Sequence, residues 1–100
     1  MMDYYELECL IIAWAEEKGI LKDPKPYAQA MKTVEELSEL CHAIITDDKE
    51  EIKDALGDIM VTLLIQAHMQ DMNLEDCLES AWHTIKDRTG KMVDGQFVKD

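Results

Sequence analysis

Apolar residues return every three or four positions along four stretches of the chain, and the breaks between them carry proline, glycine or helix-capping residues. Four helices are predicted from this alone. Asp3 caps a first helix to about Lys18, with Leu7, Leu10, Ile11 and Trp14 on one face, Glu6, Glu8, Glu16 and Glu17 on the other, and Gly19 as its C′ residue. Ile20 to Lys25 is a connector punctuated by Pro24. Pro26 fits the first turn of a second helix to about Ile45, which offers Met31, Val34, Leu37, Leu40, Cys41 and Ile44 to a core. A third helix runs from Lys49 to about Gln70. Asn73 caps a fourth from Leu74 to about Arg88, with a stripe of Leu74, Leu78, Ala81, Trp82 and Ile85 and an end at Gly90. In the tail, Asp94-Gly95 between short apolar runs is a type I′ hairpin signal, and so small a hairpin needs a surface to pack on.

The connection Thr46-Asp47-Asp48 is short enough to make helices two and three antiparallel neighbours, and Asp48 with Glu51 reads as a capping box. After Asp58 the third helix is apolar nearly all round, so it is expected to be covered on several sides. One hundred residues make one domain with a limited core. The expectation is an all-α fold, residues 1–100, completed by oligomerisation, with a homodimer favoured.

Composition narrows the partners. The formal net charge is −12, with 22 acidic against ten basic residues, which repels a nucleic-acid backbone. A phosphate compound could dock only after divalent cations had reversed the local field. Cys9, Cys41 and Cys77 are odd in number, lack CxxC spacing and sit in apolar patterns, so they read as small buried hydrophobes of a reducing compartment. Met1-Met-Asp-Tyr-Tyr-Glu6 lacks the basic and apolar regions of a signal peptide and no apolar run is long enough to span a bilayer, so a cytoplasmic protein is expected.

The candidate chemistry lies between Met31 and Leu64, where acidic residues recur at helical spacing on two neighbouring helices. Carboxylates in that arrangement are hard ligands suited to Mg²⁺, with Mn²⁺ as an alternative. With the hairpin pivoting near Asp47, level pairs are those whose numbers sum to about 94, so Glu36 meets Asp58 and Glu39 meets Ala55. Asp54 and Asp58 lie only about 40° apart around their helix. An aspartate entering an otherwise apolar helix, as Asp58 does, is costly unless it is paired or coordinates a cation. Glu51 also shares that face but reads as a capping residue. The competing reading of the whole set is a solvated helix face.

Lys32-Thr-Val-Glu35-Glu36-Leu-Ser-Glu39-Leu, followed by Ala55-Leu-Gly-Asp58-Ile-Met-Val-Thr-Leu, resembles the MazG-like nucleotide pyrophosphohydrolases of the all-α NTP pyrophosphatase superfamily. The segments Trp14-Ala-Glu-Glu-Lys-Gly-Ile and Lys86-Asp-Arg88-Thr-Gly-Lys91 extend the resemblance over most of the chain. It implies a four-helix, MazG-like bundle around the central helix hairpin in a homodimer or homotetramer, Mg²⁺ held by an ExxE and an ExxD motif, and hydrolysis of nucleoside triphosphates to a monophosphate and pyrophosphate. Glu36 and Glu39 match the first motif, and Asp58 the last acid of the second. Ala55 stands where the second motif has glutamate. Asp54 is the favoured substitute, and Glu51-Ile-Lys-Asp54 is an alternative register.

On that resemblance Glu36, Glu39, Asp54 and Asp58 are metal ligands. Glu35 either orients and deprotonates the attacking water or is an outward-facing acid. Lys32, Lys86, Arg88 and Lys91 are candidates to meet phosphate oxygens, with helix C-terminal charges as the other reading of Lys86 and Arg88. Trp14 is either a core or interface residue or a platform for a nucleobase. His42, His68 and His83 have no ligand spacing. The alternative to an enzyme is an acidic helical dimer that binds nucleotide or a protein partner without turnover.

Overall fold

The computed structural model describes all 100 residues as α1 Tyr4–Glu17, α2 Pro26–Ile45, α3 Lys49–Met69, α4 Leu74–Ile85, β1 Gly90–Val93 and β2 Gln96–Lys99. The caps are those that the sequence offers. The Asp3 carboxylate accepts the Glu6 N–H at 2.8 Å, Asp48 accepts that of Glu51 at 3.2 Å, and Asn73 accepts those of Glu75 and Asp76. Three helices end in one motif, in which a residue at positive φ turns the chain so that the next N–H reaches a carbonyl five residues back. Gly19 does this after α1, but Asp47 and Asp71 do it after α2 and α3, at φ 52° and 57°. The closing bonds are Ile20 N–H to Ala15 O, Asp48 N–H to Ala43 O and Met72 N–H to Ala67 O.

α4 is shorter than its pattern predicts, ending at Ile85 rather than near Arg88, and Gly90 opens β1 instead of closing the helix. The hairpin claims this segment. The Thr89 hydroxyl donates to the Asp100 carboxylate at 2.7 Å, and the Asp100 N–H donates to Thr89 O at 3.1 Å. Gly90 is required there, because a Cβ would stand 2.6 Å from the Phe97 ring. Asp94 and Gly95, at φ 49° and 82°, make the expected I′ turn.

The centre of the fold is the antiparallel pair α2 and α3, with α1 and α4 packed on α3. The residues of α2 that are not exposed are Pro26, Gln29, Thr33, Glu36, Leu40 and Ala43, a strict alternation of three- and four-residue steps. Ile52, Ala55, Ile59, Thr62, Gln66 and Met69 repeat those steps on α3, the seam of an antiparallel helical hairpin. Its upper half is polar: the Thr33 hydroxyl donates to Thr62 Oγ1 at 2.9 Å, Gln29 Nε2 to Thr62 O at 3.3 Å, and Gln66 Nε2 to Pro26 O at 2.8 Å. Thr33 thus meets the residue next to its expected level partner, Val61.

Of the apolar stripe expected to face a core from α2, Leu40 enters the seam and the other five residues face outward. Met31, Val34, Leu37 and Ile44 are about half exposed, as are Leu78, Trp82 and Ile85 on α4. All three cysteines are exposed too, correcting their reading as buried hydrophobes. The reason is common to all: small and polar seam residues take the space between α2 and α3, and one chain has nothing left to cover the outer faces. The core consists of Ala15, Ala43, Ala55, Leu64, Ile65 and Ala67 with Thr62 and Glu36.

Candidate functional site

The seam sets the chemistry by burying an acid. Glu36 occupies a seam position of α2 and is 8% exposed. Its neighbours Glu35 and Glu39 are exposed, and carboxylate oxygens of the three lie within 4.8 Å of one another. Glu36 Oε2 has no hydrogen-bond partner. Burial, then the adjoining Glu39 carboxyl, then the charge of Asp58 across the hairpin hold the Glu36 pKa above the ordinary glutamate value, against the opposing effect of Lys32. Lys32 Nζ lies 3.3 Å from Glu35 Oε1 and 3.8 Å from Glu36 Oε1. A single ammonium therefore serves a group of carboxylates with excess negative charge.

Beside this group opens a cavity of about 550 Å³ between α1, α2 and α3. Glu36 and Asp58 line it together, with Lys32, Gln29 and Thr62 adjacent and Trp14, Ile20, Val61, Ile65 and Met69 forming an apolar wall. Asp23 and Lys25, paired at 2.8 Å, also line it. Glu39 lines a separate cleft with Glu51, Ser38 and His42 near the hairpin turn. Asp54 is exposed and lines neither space. Ala55, 4% exposed, is packed in the seam where the resemblance places a glutamate. His42, His68 and His83 are exposed.

The remaining candidates divide. Trp14 and Lys32 are at the cavity, whereas Lys86 and Arg88, in the connection after α4, and Lys91, on β1, are exposed outside the cavity, and no Cα of the hairpin strands lies within 8 Å of a helix Cα. Sequence reasoning missed Gln29, Thr33 and Thr62, whose signal was the seam spacing once polar residues are admitted to it. It also missed Glu8 on the supposedly polar side of α1. Glu8 is half-buried, receives the Asn73 amide at 3.5 Å and keeps Oε2 without a partner.

A hard divalent cation fits the donor set around Glu36. The group supplies several carboxylate oxygens, one of them buried and unsatisfied, and Lys32 already holds a positive charge against them. A family model for the MazG nucleotide pyrophosphohydrolase domain matches residues 26–93. The chain belongs to this family. The matched span runs from the start of α2 to the end of β1, so it holds both acidic helices and the basic segment, while α1 with Trp14 precedes it. MazG membership agrees with the all-α fold. The chain is also 36% identical over 67 residues to an uncharacterised 18.2 kDa protein in the rep-hol intergenic region of Haemophilus phage HP1. That alignment covers 67% of this chain and 41% of the phage protein, so the chain spans well under half of that relative. No solved structure matches the chain. No helix of the fold is long and apolar enough to cross a membrane.

Proposed function

We propose that this MazG-family chain, acting as a single domain over residues 1–100, is a Mg²⁺-dependent nucleoside triphosphate pyrophosphohydrolase. The observation that carries the reading is Glu36: a buried acid with one unsatisfied oxygen, clustered with Glu35 and Glu39 and sharing a cavity with Asp58. Glu36, Glu39 and Asp58 hold the cation, with Asp54 as fourth ligand in place of the glutamate that Ala55 replaces. When bound, Mg²⁺, or Mn²⁺ in its place, neutralises phosphate charge and acidifies water at the site.

The chain's residues do the rest. Glu35, at the solvent side of the cluster, accepts a proton from the attacking water. The water oxygen bonds to the α-phosphorus, the α–β bridging P–O bond breaks, and pyrophosphate leaves with that electron pair. Lys32, at the cavity beside Glu35 and Glu36, meets the phosphate oxygens. Trp14, 47% exposed at the cavity, offers a ring face to the base. The apolar wall excludes water from that side.

A homodimer or homotetramer is proposed as the working form, supported by the uncovered apolar face of α2 and α3. The buried Ala55 supports one competing reading, a member that binds nucleotide or a protein partner without turnover. Pyrophosphate release across ribo- and deoxyribonucleoside triphosphates, with Mg²⁺ and with EDTA, decides between them. We expect release from at least one substrate with Mg²⁺ and none with EDTA; no Mg²⁺-dependent release from any member of the panel sinks the enzyme.

A further inference from the structure

We infer that the C-terminal hairpin is an arm that works in trans, carrying Arg88 and Lys91 of one subunit to the carboxylate site of a second copy of the chain. This rests on the pyrophosphohydrolase reading only for what the arm does there. The first observation is packing. No Cα of either strand lies within 8 Å of a helix Cα, and all eight residues of β1 and β2 are exposed, including Met92, Val93, Phe97 and Val98. An isolated two-stranded hairpin is marginal in water. The pairing Lys91 with Val98 and Val93 with Gln96 sets Lys91 on one face beside two valines, a surface suited to docking on protein with its ammonium directed to an acid.

The second observation is charge. Residues 86–100 hold four of the ten basic residues and three of the 22 acidic ones, so this short arm carries a net positive charge in a chain whose total is −12. The carboxylate group around Glu36 has only Lys32 as a cation within 4.0 Å. Excess acid on the body and excess base on an unpacked arm are complementary between two copies. The third is area. The chain exposes 7983 Å², against about 5,800 Å² expected for a folded monomer of 11.5 kDa. That excess is ample for an obligate dimer contact. Its radius of gyration, 15.8 Å, likewise exceeds the roughly 13 Å of a compact 100-residue domain. A second copy is the occupant that satisfies all three.

Two measurements test this. Protein labelled with ¹⁵N is mixed with unlabelled protein, exchanged, and treated with a carbodiimide that joins amines to carboxylates in contact. Mass spectrometry should find mixed-isotope links between Lys91 and the Glu35–Glu39 or Asp54–Asp58 segments. Links only within one isotope, or none from Lys91 to these segments, overturn the arm. This readout needs no turnover, so mixed-isotope links from a chain that releases no pyrophosphate would retain the arm and discard the enzyme. Second, Arg88→Ala/Lys91→Ala and Glu36→Gln should each be inactive. Co-expressed in equal amounts, random pairing leaves one intact site in each mixed dimer, restoring about a quarter of wild-type activity. An active wild type with no recovery in the mixture, or a fully active arm variant, discards the arm and keeps the enzyme.

Discussion

Glu36 pays for its position in the seam, and the cost is measurable. Its raised pKa means that the folded chain holds this proton more tightly than the unfolded chain does. Stability of the cation-free protein is therefore highest with Glu36 protonated, falls as pH rises from the ordinary glutamate range through the raised pKa, and stays at the lower level above it. Glu36→Gln removes this dependence and should stabilise the cation-free protein on the order of 1 kcal/mol at neutral pH, the low end of the cost of an unsatisfied buried group. Thermal unfolding of both proteins in EDTA across pH checks this. Mg²⁺ needs the ionised carboxyl, so it should stabilise the wild type increasingly above that pKa and leave Glu36→Gln unmoved. Equal pH profiles for the two proteins would show that Glu36 is not the titrating group. The identity of the fourth ligand is also decided at single residues. Asp54→Asn should abolish Mg²⁺-dependent stabilisation and Glu51→Gln should retain it; the opposite pair of results assigns the role to Glu51, which shares a cleft with Glu39.

Among the elements, the α2–α3 seam explains both what was legible and what was not. Caps, turn residues and the hairpin pivot act locally, so Asp3, Pro26, Asp48, Asn73 and Asp94-Gly95 fixed helix starts and turn type from sequence alone. Level matching across the hairpin was legible to within one residue because both helices have the same rise. The inward face of α2 was not, because hydrophobicity marks Met31, Val34 and Leu37 as core, whereas the seam uses Gln29, Thr33 and Glu36. Polar groups can occupy it because they satisfy one another across the helices, which periodicity in apolar residues does not register. The Thr62 hydroxyl is central to that network, accepting from Thr33 and donating to Ile59 O at 2.7 Å. Thr62→Val should cost about 1 kcal/mol in denaturant unfolding and widen the Glu36–Asp58 spacing enough to weaken Mg²⁺ binding. A neutral effect on both would remove Thr62 from the support of the site.

For the whole molecule, so small a core and so much exposed apolar surface support the proposed assembly of two or more copies. Val34 and Leu37 from α2 and Leu63 from α3 line one open groove on the outer side of the hairpin, the surface best placed to meet a second copy. Leu37 is half exposed in the single chain, so Leu37→Glu should change intrinsic monomer stability by no more than about 0.5 kcal/mol. In the assembly it buries a charge. Light scattering after size exclusion should find wild-type protein at a dimeric or tetrameric mass and Leu37→Glu as monomer; a wild-type monomer would refute the assembly. The acid cluster, the cavity and the fold family meet in one claim, that the carboxylates around Glu36 hydrolyse nucleoside triphosphates with a divalent cation. Its most direct test is pyrophosphate release by wild type and Glu36→Gln side by side, with Mg²⁺ and with EDTA. Wild type should release pyrophosphate with Mg²⁺ and none with EDTA, and Glu36→Gln should lose at least about a hundredfold. Release by Glu36→Gln at the wild-type rate would contradict the claim.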